Sequence, residues 1–151
     1  MICYLDTSAL VKLYVQEQGS ELVRALVNEA LVVATSKVAF AEARAAFARV
    51  YREGGLSQED YRSAVEAFQA EWEHYLRLEV SDELIHLAGD LAERHQLRGF
   101  DAIHLASMQM LSQQVKDPVI VACWDTRLWD AVKAVRFAAV PAERPGSAAR
   151  T

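Results

Sequence analysis

With 151 residues, 52% of them hydrophobic and 25% charged, the chain suits a single globular domain. A chain of that size buries roughly 68–70% of its unfolded surface on folding. The formal net charge of −5 argues against a protein that simply coats a polyanion, and two cysteines with no CxxC or His/Cys pattern argue against a zinc site. There is no basic leader and no apolar run long enough to cross a bilayer, so a cytoplasmic protein with two buried, reduced thiols is expected.

Short apolar runs alternate with longer amphipathic ones, the pattern of an α/β domain with a mainly parallel sheet covered on both faces. Four strands are expected at 2–6, 31–35, 77–80 and 119–123, and a fifth at 136–140. Thr7-Ser8 opens a helix after the first strand, and Ser36 opens one that runs to about Glu53, where Gly54-Gly55 stops it. Ser57 caps the next, with Glu59 and Asp60 in a first turn whose dipole favours acids. Tyr61, Val65, Phe68 and Trp72 form its apolar stripe. Ser81 caps a helix that carries Leu84, Leu87, Ala88 and Leu91 inward, and helices follow at 100–114 and 126–135.

No strand separates the two helices around Gly54-Gly55, so they read as an αα-hairpin inserted into the alternating pattern. Its aromatics (Phe40, Phe47, Tyr51, Tyr61, Phe68, Trp72) are first of all core, with a second-protomer surface as the sharper alternative. Residues 1–140 then form one domain, and 141–151 a flexible C-terminal tail.

Four carboxylates are out of place in this pattern. Asp6 ends the run Ile2-Cys3-Tyr4-Leu5, and Asp125 follows Val119 to Trp124. Glu42 interrupts the small apolar stretch Val38 to Ala43, and Asp101 stands where a helix begins. Taken singly, Asp6 and Asp125 read as helix caps and Asp101 as a first-turn acid. Glu42 needs a cation or several donors on its half-buried face, with Arg44 and Arg49 as candidate partners, although Arg49 at i+7 is too far along the helix for an easy pair. One shared site accounts for all four, because parallel strands end on the same side of a sheet and their terminal residues converge there. Packed like charges call for a cation, and an all-oxygen set points to Mg²⁺ or Mn²⁺. Setting those four acids aside leaves a net charge near −1, so a nucleic-acid substrate remains open.

The strings Tyr4-Leu5-Asp6-Thr7-Ser8-Ala9-Leu10, Ser36 with Glu42, Phe100-Asp101-Ala102-Ile103-His104-Leu105-Ala106, and Trp124-Asp125-Thr126-Arg127-Leu128 resemble the PIN-domain family. Within it they look most like the VapC toxins of bacterial and archaeal toxin–antitoxin pairs. The resemblance implies a three-layer α/β/α sandwich around a sheet of four to five strands. It also implies a Mg²⁺-dependent endoribonuclease that leaves 5′-phosphate and 3′-hydroxyl ends, with Mn²⁺ as the alternative ion. On this reading Asp6 and Asp101 are the main metal ligands, and Glu42 and Asp125 complete the catalytic set. Cys123 departs from the Thr or Ser that many relatives carry there.

Ser8 is a candidate to hold a carboxylate or an RNA phosphate. For His104 a packed, hydrogen-bonded role is favoured over that of a base. Lys12, Lys37, Arg44, Arg98 and Arg127 fall near the expected rim. The implied partners are an RNA, a small VapB-type antitoxin that inserts Arg or Lys among the acids, and a second copy of the chain. The alternatives are a non-catalytic PIN-fold module binding RNA or protein, and an acid-cluster phosphatase. The phosphatase is disfavoured because its second acid would stand at Ser8. A Walker-type nucleotide site is excluded by the absence of any Gly-rich loop.

Overall fold

The computed structural model describes residues 1–146. The chain runs through β1 (Ile2–Leu5), α1 (Thr7–Val11), α2 (Ser20–Glu29), β2 (Val32–Ser36), α3 (Ala39–Arg52) and α4 (Gln58–Trp72). It continues through β3 (Leu76–Leu78), α5 (Asp82–His95), α6 (Gly99–Gln114), β4 (Val119–Ala122), α7 (Thr126–Ala134) and β5 (Ala138–Val140). All five strands are parallel, in the order β3-β2-β1-β4-β5. The expected three-layer α/β/α sandwich is what forms, and the sheet is parallel throughout.

Period-two alternation in β1 divides the core. Cys3 and Leu5 face a layer built by α1 to α4, which contributes Leu10, Val23, Phe47 and Phe68. Ile2 and Tyr4 face α5 to α7, which contribute Leu84, Leu91, Leu105, Met108, Leu128 and Val132. Because both faces are covered, the strands read as continuous apolar runs rather than alternating ones. Burial raises the Cys3 thiol to about 11 and holds that of Cys123 well above its ordinary value, so both remain protonated, unbridged thiols.

The inserted hairpin is α3 and α4. Gly54 adopts a φ of +83°, which lets the chain reverse, and Ser57 accepts from the Asp60 amide to restart the helix. Phe47 and Phe68 are fully buried and meet edge to face with centroids 5.6 Å apart, while Phe40 stacks on Phe68. The aromatic stripe is therefore mostly core. Tyr51, stacked on Tyr61 at 4.8 Å, stays 38% exposed.

The tail expected from Pro141 is described only as far as Gly146. Pro141 accepts from the Trp129 indole, Arg144 forms a two-pronged pair with Asp130, and Pro145 is buried. Residues 147–151 lie outside the described residues. Among the described residues no helix is long and apolar enough to cross a membrane.

From the β1–β4 pair the chain winds outward in both directions, to β2 and β3 on one side and to β5 on the other. Such a switch point leaves a crevice beyond the carboxyl ends of the two central strands. Leu5 pairs with Ala122 at that edge, so Asp6 emerges from β1 directly beside the turn that carries Asp125.

Candidate active site

Asp6 leaves β1 in an extended conformation and caps α1, accepting from the Ala9 amide at 2.9 Å. Ser8 Oγ donates to the same carboxylate, 2.7 and 2.8 Å from its two oxygens, and accepts from the Trp124 amide at 2.9 Å. One hydroxyl thus ties the acid of β1 to the loop bearing Asp125. Asp6 is only 3% exposed. Burial raises its carboxyl above the ordinary value, against the opposing pull of His104 and of the hydrogen bonds from Ser8 and Ala9.

Glu42 lies in the first turn of α3. Its Oε1 accepts from Thr7 Oγ1 at 2.5 Å and from His104 Nε2 at 2.9 Å. The other ring nitrogen of His104, Nδ1, lies 2.8 Å from the fully buried Tyr4 hydroxyl. In the neutral ring Tyr4 donates to Nδ1 while Nε2–H donates to Glu42, and in the protonated ring the Tyr4 bond reverses. Either way, Tyr4, His104 and Thr7 hold Glu42 in place. Burial alone would raise the Glu42 carboxyl, but the hydrogen bond and charge of His104, with the Thr7 bond, hold it below its ordinary value.

Asp101 sits half-buried in the first turn of α6, and Asp125 caps α7 by accepting from the Leu128 amide at 3.0 Å. Burial first, then the charge of Asp125, push the Asp101 carboxyl up to about 6. His104 and Arg98 draw it back, and Asp6 adds to the push. Cys123 Sγ reaches the Asp125 carbonyl at 3.5 Å, so the thiol occupies a hydrogen-bonding position beside that turn. Glu42, Asp101 and Asp125 line one cleft of about 470 Å³ together with Arg98, Gly99, Phe100 and Ile103. The buried Asp6 is not among its wall residues, yet it is near enough to act on Asp101.

The PIN-domain family model matches residues 3–120. The chain belongs to the PIN-domain family. It is 36% identical over 143 residues to "Ribonuclease VapC45" of Mycobacterium tuberculosis, which covers 94% of this chain and 96% of that one. Its fold is that of FitAcB from Neisseria gonorrhoeae, with a TM-score of 0.63 and 18% identity over 92% of this chain and 96% of that one. It is also that of a toxin–antitoxin complex from Klebsiella pneumoniae, at a TM-score of 0.58 and 15% identity over 82% and 87% of the two chains.

PIN-domain chemistry implies a divalent cation, and the donors in this chain are suited to one. Among the described residues, Glu42 Oε2, Asp125 Oδ2 and both Asp101 oxygens take no hydrogen bond from the protein, and Asp101 feels two neighbouring carboxylates. Hard, mutually repelling oxygens of this kind are relieved by Mg²⁺ or Mn²⁺. As the side chains stand, no three His, Cys, Asp or Glu among the described residues form a ready-made cage. Glu42 is instead tied to Thr7 and His104, and Asp6 to Ser8 and Ala9.

The partners of Glu42 differ from those the sequence offered. Arg44 Nε is buried with no hydrogen-bond partner, and Thr7 and His104 take the place expected of Arg44 or Arg49. Arg44, two residues on, lies on a different face of α3, and Arg49, seven residues on, is about two turns away, so groups on facing elements meet the carboxylate more easily. Thr7 and Tyr4 were not assigned a role at the site from the sequence. Their signal was there, since Thr7 directly follows Asp6 and Tyr4 lies two residues before it on β1.

Proposed function

We propose that this PIN-domain protein is a divalent-metal-dependent endoribonuclease, the toxin of a toxin–antitoxin pair acting on RNA in the cytoplasm. The observation that carries the reading is the gathering of Glu42, Asp101 and Asp125 in one cleft, with Asp6 buried beside it at the switch point of the sheet. The ribonuclease name of the relative supports it.

Asp6 and Asp101 are assigned as the main metal ligands, with Glu42 and Asp125 completing the set. A bound Mg²⁺ or Mn²⁺ would supply the positive charge that a scissile phosphate and an attacking water require. The chain's own residues prepare the acids for this. Ser8 fixes Asp6, His104 and Thr7 orient Glu42, and the α7 cap orients Asp125. Arg98 on the same cleft offers a cation to a neighbouring RNA phosphate. Ser8 is already engaged as donor to Asp6 and acceptor from Trp124, so its part in substrate binding is to hold Asp6. Hydrolysis adds water to the phosphorus and expels the ribose 3′-oxygen, which gains a proton, leaving 5′-phosphate and 3′-hydroxyl ends.

A free ribonuclease would harm its host, so a VapB-type antitoxin is implied, with an Arg or Lys that enters among the acids and replaces the cation's charge. A homodimer is part of the same reading.

Controlled induction in a bacterial host, with RNA 5′ ends mapped for wild type and for Asp6→Asn/Asp101→Asn, tests the activity. Growth arrest with discrete 5′-phosphate ends in wild type alone is the expected result. Identical end profiles from both soluble proteins would overturn the reading.

A further inference from the structure

Among the described residues seven large apolar side chains are exposed, and their positions differ in meaning. Leu31, Val32 and Leu76 stand at the amino ends of β2 and β3, Leu22 and Ile85 lie on α2 and α5, and Tyr51 stacks on Tyr61. Phe100, 57% exposed, is the one of the seven that lines the acid cleft. It is the second residue of the 16-residue helix α6, immediately before Asp101. A rigid helix therefore holds the ring beside the acid. Ile103, one turn on and on the same helix face, extends an apolar wall along the cleft, and Arg98 stands at the helix cap.

Single exposed apolar residues are ordinary on protein surfaces. This one sits in a cleft of about 470 Å³, within the size range of small-ligand sites, whose charged groups are three carboxylates and one guanidinium. The division matches a nucleotide, which has a flat apolar base at one end and a charged phosphate at the other. Proteins that bind single-stranded RNA commonly splay bases out and stack them on aromatic rings.

We propose that Phe100 is a base-stacking platform that holds the nucleotide next to the scissile phosphate. The ring takes one face of the base, Ile103 borders its edge, and Arg98 meets a backbone phosphate. The inference rests on the ribonuclease reading above and names how that site grips its substrate. Every base has a π-face, so the contact sets the position of the strand and the rate of cutting more than the sequence cut.

The test uses purified wild type, Phe100→Ala, Phe100→Leu and Phe100→Trp with Mg²⁺ or Mn²⁺ and total bacterial RNA, following new 5′-phosphate ends over time. Phe100→Ala and Phe100→Leu should slow cutting by roughly 5- to 100-fold, the range for loss of one aromatic stack. Phe100→Trp should keep most of the rate, and thermal midpoints should not move because the ring is exposed. At a mapped site, an abasic nucleotide beside the cut should cost wild type a similar factor and cost Phe100→Ala little more, since both remove the same contact.

If Phe100→Leu cuts as fast as wild type, the ring has no stacking role and the proposal fails. If all Phe100 variants match wild type while Asp101→Asn is inactive, stacking is refuted and the ribonuclease reading stands. If wild type yields no new ends, both fall together.

Discussion

Removing the Tyr4 hydroxyl tests the network behind Glu42. Tyr4 is fully buried and its hydroxyl is the only partner of His104 Nδ1 among the described residues, at 2.8 Å. In Tyr4→Phe the ring still fills its space, but a ring nitrogen of a residue only 1% exposed loses its hydrogen bond. An unsatisfied buried polar group of this kind costs about 1–3 kcal/mol. For a chain of this length about 2 kcal/mol lowers the thermal midpoint by roughly 4–8 °C. His104→Leu strands the Tyr4 hydroxyl and takes one donor from Glu42, so about 2–4 kcal/mol is expected. The double substitution Tyr4→Phe/His104→Leu leaves an apolar pair. It should fall short of the sum of the singles by about 1–2 kcal/mol, because replacing both partners removes the stranded group. Urea unfolding of the four proteins at neutral pH measures this through the transition midpoint at constant slope. A Tyr4→Phe cost within about 0.5 kcal/mol, or additive singles, would refute the network.

Gly19 has a φ of +95°, and a Cβ there would lie 2.6 Å from the Trp124 ring. Gly19→Ala should therefore destabilise by about 2–4 kcal/mol in urea melts and slow cleavage by disturbing the turn that carries Asp125, whereas wild-type stability would disprove the close packing. Asp101 gives a pH signature in metal-free protein. Its carboxyl keeps a proton up to about 6 in the folded chain but only to about 3.9 when unfolded, so ionisation disfavours the fold as pH rises through that window. Asp101→Asn should melt higher than wild type above pH 6 and level with it below about pH 4, and a difference that grew toward acid would contradict the sign. Added Mg²⁺ or Mn²⁺ should raise the melting temperature of wild type at neutral pH and leave Asp6→Asn/Asp101→Asn unmoved, with an equal rise in both ruling out these ligands.

Apart from the separate helix α2, the order of elements and the composition of the core were legible in the sequence because they rest on local signals. Apolar runs covered on both faces, the Ser57 and Ser81 caps and the Gly54-Gly55 break each act over a few residues, and the strands were placed within two positions, whereas Ser36 ends β2 and α3 starts at Ala39 without a side-chain cap. The acids were legible one by one for the same reason, as carboxylates that interrupt apolar patterns. The cleft that joins Glu42, Asp101 and Asp125 was decided by the strand order, which sets β1 against β4 although more than a hundred residues separate them. The state of the acids was likewise a tertiary matter. Glu42 takes its donors from Thr7 on another element and His104 on α6, because a carboxylate is oriented by whatever faces it in space. The shift of Asp101 comes from burial and from Asp125, both products of packing, and no pattern along the chain encodes either.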